Sequence, residues 1–255
     1  MTTRLPQDKL DDLTLIIREW ATKKWCTRKP LESLVGRLNH ACSVVTHGRT
    51  FLRRLINLLR DSKRHQKFLP LNKECRLDLQ WWNQFLPVWN GISFFDLPDW
   101  APVPDFELAT DASGSLGFGA YHQGKWFSAT WLPSQQPLGM AYKELYPILV
   151  ACHIWGPKWL RKRVLFHCDN ESVVHIIKSG TSKDDHIMHL VRALFLITAK
   201  LNFHVTAAHL PGKTNSIADA LSRFKFQEFF RLVPHAQPTP VEISKEVQAK
   251  LTCNH

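Results

Sequence analysis

The stretch from Leu108 to Tyr121 reads LATDASGSLGFGAY. Phe106, Leu108 and Ala109 make a short apolar approach to one carboxylate, Asp111, and Gly114, Gly117 and Gly119 follow among apolar residues. That pattern reads as strand, tight turn, strand. An aspartate at the end of a buried strand is costly unless something cationic meets it. Two readings of Asp111 stand side by side: an Asx-turn residue capping a hairpin, or one member of an acidic cluster. The second gains from three acids downstream, Glu144, Asp169 and Asp219.

Outward from this stretch the signals alternate. FGAYH and KWFSATW, separated by Gly124, complete three antiparallel strands. AYKELYPILVACHIW carries Leu145, Ile148, Leu149 and Cys152 at helical spacing, with Glu144 in its opening turn. Pro147 within it removes a helical hydrogen bond, so the helix either starts close to Glu144 or bends there. VLFHC, Val164 to Cys168, is a buried strand with Asp169 just past its end. Two helices follow, then a strand reaching His209, a Pro-Gly turn and a short helix with Asp219 in its middle. The predicted class is α/β, a five-stranded mixed sheet flanked by helices.

Before this domain, Leu5 to about Trp89 has helical periodicity. Leu10, Leu13, Ile16, Ile17 and Trp20 form one face; Leu31, Leu34, Val35, Leu38, Ala41, Cys42 and Val45 a second; Phe51, Leu55, Ile56 and Leu59 a third. Asn72 caps a fourth helix bearing Leu77, Trp81, Trp82 and Phe85. The expected division is a basic helical bundle over 1–90, a packed linker over 91–105, an α/β domain over 106–226 and a polar, partly frayed tail over 227–255.

Composition narrows the function classes. A net charge of +11 favours a polyanionic partner. Much of it lies in one segment, where Lys23, Lys24, Arg28, Lys29, Arg37, Arg49, Arg53, Arg54, Arg60, Lys63, Arg64 and Lys67 face only Glu32 and Asp61. Such a run suits phosphate tracking; a generic bundle with solvated charges is the plainer alternative. No apolar run spans a membrane and MTTRLPQDKLDD has no signal-peptide core, so the expectation is an intracellular protein with no membrane partner. The six cysteines show neither zinc nor disulfide spacing.

Four clustered carboxylates cannot all stay ionised without a cation, and an all-oxygen set suits Mg²⁺. At this point the motifs carry a resemblance. LATDASGSLGFGAY, KELYPILVA, FHCDNESVV and above all HLPGKTNSIADALSRF resemble the ribonuclease H domain of retrotransposon reverse transcriptases, over about Phe106 to Phe224 and in the family's order. The resemblance implies an RNase H-like fold and two-metal hydrolysis of the RNA strand of RNA·DNA hybrids, with Mg²⁺ or Mn²⁺. It implies that Asp111 bridges both metals, that Glu144, Asp169 and Asp219 complete the ligand set, and that His209 assists product release or proton transfer. The plainer reading of His209, a histidine ending a strand, stays open. Ser113 and Asn170 would contact substrate, and Asn215 would brace the loop carrying His209. RLPQDKLDDL and PLESLVGRLNHACSVVTHGRTFLRRLI resemble the thumb and connection of the same elements, in the DIRS-like group. No aromatic-x-Asp-Asp motif appears. The expectation is therefore a truncated reverse transcriptase without polymerase activity, its palm and fingers absent or supplied in trans. Two rivals remain: a catalytically silent nucleic-acid-binding relic, and another nuclease or integrase on the same fold.

Overall fold

The computed structural model describes residues 2–45, 48–62, 67–89, 92–94, 104–244, 247–248 and 251. Lys63 and Arg64 of the basic set, and most of the expected linker over 91–105, lie outside the described residues. The chain divides into two compact units, Met1–Pro102 and Val103–His255.

In the first unit, apolar stripes at three- and four-residue steps give four helices, α1 (Gln7–Thr22), α2 (Arg28–Ala41), α3 (Arg53–Asp61) and α4 (Lys73–Phe85). Leu10, Leu13, Ile17 and Trp20 of α1, and Leu31, Leu34, Leu38 and Ala41 of α2, are buried. Asn72 caps α4 as expected, its Oδ1 accepting from the Cys75 N–H at 2.8 Å. Phe51, Trp81 and Phe85 stack in sequence, with centroids 3.8 and 4.7 Å apart. Asp78 is fully buried and meets the Arg54 guanidinium at 3.3 Å. Two expectations need correcting: Ile56 and Leu77, read as inward, are 36% and 45% exposed. Each lies at the margin of its helix's apolar stripe, where a short helix leaves room for water. Two ribbons escaped the helical periodicity because they are two or three residues long. They are β1 (Thr2–Arg4) with β4 (Ile92–Phe94), and β2 (Trp25–Cys26) with β3 (Leu69–Pro70), both antiparallel.

The second unit is α/β. Strands β5 (Phe106–Ala112), β6 (Gly117–His122), β7 (Lys125–Thr130), β8 (Arg163–Cys168) and β9 (His204–His209) form a five-stranded mixed sheet in the order β7-β6-β5-β8-β9. The β5–β6 and β6–β7 pairs are antiparallel, and β5–β8 and β8–β9 parallel. Parallel pairing of β5 with β8 and of β8 with β9 requires crossovers. They run through α5 (Met140–Trp155) and through α6 (Glu171–Ser179) and α7 (Asp185–Leu201).

Alternation sorts the two faces. Leu108, Phe118 and Ala120 lie on the face covered by α5, where Phe118 meets Tyr146 edge to face. Gly119 and Tyr121 lie on the other, under α8 (Ser216–Ser222) and α9 (Phe226–Leu232). Among the described residues no helix is long and apolar enough to cross a membrane.

Within the segment expected as a partly frayed tail, residues 229–241 pack on this second face. Phe229, Val233 and Ala236 are buried with Trp126. Gln237 N–H donates to Gly124 O and Val241 N–H to Trp126 O, both at 2.7 Å, while Trp126 Nε1 donates to Gln237 O. The prolines that suggested fraying forbid a helix but not this extended pairing along β7.

Gly119 sets how closely α8 approaches. A Cβ there would lie 2.5 Å from Leu221 Cβ and 3.0 Å from Phe127 O. Gly119→Ala is expected to lower the unfolding free energy by about 1–3 kcal/mol through overpacking. Urea denaturation followed by circular dichroism measures it, and an unchanged midpoint would mean that α8 does not sit this tightly.

Candidate functional site

Asp111 lies near the end of β5, opposite Gly119, and only 6% of it is exposed. The Ser222 hydroxyl on α8 donates a short hydrogen bond to its Oδ2. Burial pushes the Asp111 carboxyl up to about 6, opposed by the Ser222 bond and reinforced by the charges of Asp169 and Asp219.

Glu144 reaches the same end of the sheet from α5. This helix begins at Met140, one turn before Glu144, and runs on through Pro147. The helix start therefore precedes the glutamate and the proline does not interrupt it. Buried Lys143 anchors the first turn, its Nζ donating to Gly114 O at 2.6 Å and to Gln136 O at 2.8 Å. Glu144 is 3% exposed, and burial, with Asp111 and Asp169 adding to it, pushes its carboxyl up to about 9. A bond from the backbone of Ala112 opposes the shift.

Asp169 follows β8 directly. One ligand atom each of Glu144, Cys168 and Asp169 lie within 4.8 Å of one another, a group able to hold a metal ion. Asp111 and Asp219 are not part of that triad, although their charges act on the same site. The Cys168 thiol is pushed up to about 12 by burial and by Glu144, so it stays protonated and neutral at ordinary pH. Gly212 crosses close by, since a Cβ there would meet Asp169 Oδ2 at 3.1 Å.

Asp219 sits on α8 with its carboxylate one-third exposed, paired to Arg223 at 2.5 Å and to Lys225 at 3.8 Å. His209 ends β9 in register with Cys168 and is exposed. Asn215 is buried and its Nδ2 donates to Thr110 O at 3.0 Å, tying the loop after β9 to the strand that carries Asp111. Asn170 caps α6, its Oδ1 accepting from Ser172 N–H and Val173 N–H. Ser113 is 4% exposed, and its hydroxyl accepts from the Leu116 N–H at 3.2 Å within the β5–β6 turn.

Sequence reasoning missed Ser222, Arg223, Lys143 and Cys168. Ser222 and Arg223 fall within DALSRF, three and four residues after Asp219, a spacing that puts them one helical turn along. Cys168 immediately precedes Asp169, and Lys143 precedes Glu144. No protein-family model matches the chain, and a search of curated proteins finds no match either.

Asp111 and Glu144 both hold protons in the folded chain at a pH where the unfolded carboxyls, near about 4, have lost them. Unfolding therefore releases protons between those limits, and stability falls as pH rises. The fall runs to about pH 6 through Asp111 and to about pH 9 through Glu144. With EDTA present, the Tm is expected to fall between these two values, and Glu144→Gln to remove most of that fall. A Tm profile that Glu144→Gln leaves unchanged would contradict the assignment.

Proposed function

We propose that the Val103–His255 unit is a metal-dependent nuclease of the ribonuclease H type, acting on the RNA strand of RNA·DNA hybrids. The carrying observation is the crowding of acids at one sheet end, where Asp111 and Glu144 are buried and each is raised further by neighbouring carboxylates. Divalent cations relieve such crowding. The donor set fits a hard cation, because the only sulfur nearby is a protonated thiol and the remaining donors are carboxylate oxygens. Asp111, Glu144, Asp169 and Asp219 would hold two Mg²⁺ ions, or Mn²⁺, which when bound supply an activated water and neutralise the leaving oxygen of a phosphodiester.

The chain's own groups divide the remaining work. Ser222 orients the Asp111 carboxylate, and Asn215 fixes the loop between β9 and α8. Gly212 keeps that loop clear of Asp169. His209, exposed at the strand end, would assist product release or proton transfer in this reading. Asn170 spends its oxygen on the α6 cap, so its Nδ2 is the group that would meet a 2′-hydroxyl. The basic Met1–Pro102 unit would supply grip on the duplex. In this reading the sequence given corresponds to the thumb, connection and ribonuclease H portion of a DIRS-like reverse transcriptase, and a palm and fingers polypeptide is a candidate partner.

One observation favours a second reading, a binding module that does not cleave. Asp219 already has Arg223 and Lys225 as counter-charges, and Asp111 has Ser222. Those partners compete with metal for the same oxygens.

Incubation of the chain with Mg²⁺ and an end-labelled RNA·DNA hybrid separates the two. Cleavage is expected, and Asp111→Asn is expected to reduce it by more than about a hundredfold, since even outer partners of a metal ligand are worth about tenfold to a hundredfold. Hybrid binding without product in either Mg²⁺ or Mn²⁺ would favour the silent module. Equal cutting of duplex DNA would instead indicate another nuclease on this fold.

A further inference from the structure

The short ribbon of β2 and β3 in the first unit has one buried and one open face. Cys26 and Leu69 pair across it and are 8% and 1% exposed, and the Cys26 thiol points to Leu69 O at 3.7 Å. The alternating residues face outward. Trp25 opposite Pro70 is 62% exposed, and Phe68, two residues before Pro70, is 56% exposed. Large aromatic rings this open are unusual on a surface that has a core available close by.

Charge identifies what the rings are suited to meet. Lys24, Lys29, Lys67 and Lys73 around the ribbon are exposed. The Lys67 ammonium stands 5.9 Å from the Phe68 ring centroid. The neighbouring acids are engaged: Glu19 with Lys23, Glu32 with Arg28 and Glu74 with Arg54. The patch therefore combines open rings with uncompensated positive charge. Trp25 lies in β2 and Phe68 immediately precedes β3, so the two rings flank one ribbon.

We infer that the Trp25–Phe68 face is a stacking platform for unpaired bases of single-stranded nucleic acid, with Lys24, Lys29 and Lys67 following its phosphates. A duplex does not fit this role, because its bases present edges rather than faces. Stacking is tolerant of sequence and of sugar, so the platform accepts DNA and RNA strands alike. It would hold a single-stranded overhang, or a strand released from a duplex, and it is independent of how the carboxylate site is read.

The test uses the full chain in EDTA, with a fluorescein-labelled oligothymidylate and an oligouridylate of about 20 nucleotides as DNA and RNA arms. Fluorescence anisotropy is expected to show salt-sensitive binding in both arms. Trp25→Ala and Phe68→Ala are each expected to weaken it by about fivefold to a hundredfold, the worth of one stacked base. Trp25→Phe is expected to recover most of the loss. Both side chains are exposed, so circular dichroism and thermal midpoints should match the parent chain. Absence of binding in both arms would overturn the inference and leave the patch as a contact for another protein. Binding that falls with Lys24→Glu and Lys67→Glu yet ignores both aromatic substitutions would also overturn it, reducing the surface to a charge effect.

Discussion

Two carboxyl groups, those of Asp111 and Glu144, are kept out of water at the same end of one sheet, and much of the second unit is arranged around that cost. Removing either from water favours its neutral form, and neighbouring carboxylates add to it, Asp169 and Asp219 at Asp111, and Asp111 and Asp169 at Glu144. The arrangement persists because the surrounding structure over-determines it. Gly119 lets α8 lie against β6, which delivers Ser222 to Asp111. Lys143 pins the first turn of α5 to the turn after β5, which fixes the height of Glu144. Asn215 ties the far loop to Thr110, one residue before Asp111. Three separate elements thus hold a local conflict that none would hold alone.

The two faces of the sheet meet at this end. Glu144 comes over from the α5 side and Asp219 from the α8 side, while Asp169 arrives along β8. An end reached from both faces is the one place on an α/β sheet where groups from opposite layers can act on a common ligand. The protonated thiol of Cys168 lines the floor without adding charge.

Legibility in the sequence followed the range of the interaction involved. Period-two alternation and flanking glycines placed β5, β6 and β7, and the Asn72 cap was visible because its partner Cys75 is three residues away. The order and direction of acids at strand ends was readable for the same local reason. What escaped lies far apart in sequence: Ser222 and Asp111 are separated by 111 residues, and no local pattern pairs them. The turn-forming bond of Ser113 was not legible, because a serine beside an acid looks the same whether its hydroxyl faces solvent or folds back on its own turn. Ile56 and Leu77 were misjudged because helical spacing gives the direction of a side chain, not the presence of a neighbour to cover it. Trp25 and Phe68 stayed unremarked because their strands are too short to show a period.

The run from Gln237 to Val241 bears on the molecule's company as well as on its fold. By accepting its hydrogen bonds, the carbonyls of Gly124, in the turn before β7, and of Trp126, in β7, are withdrawn from the outside world. A bare outer strand with a large aromatic residue is a template on which other copies can add themselves, strand upon strand. Shortening the chain ahead of Gln237 would expose that template while leaving every acid of the sheet end in place. The segment from Gln237 to Val241 thus covers part of the outer edge of the sheet, a long way from the acids at its end.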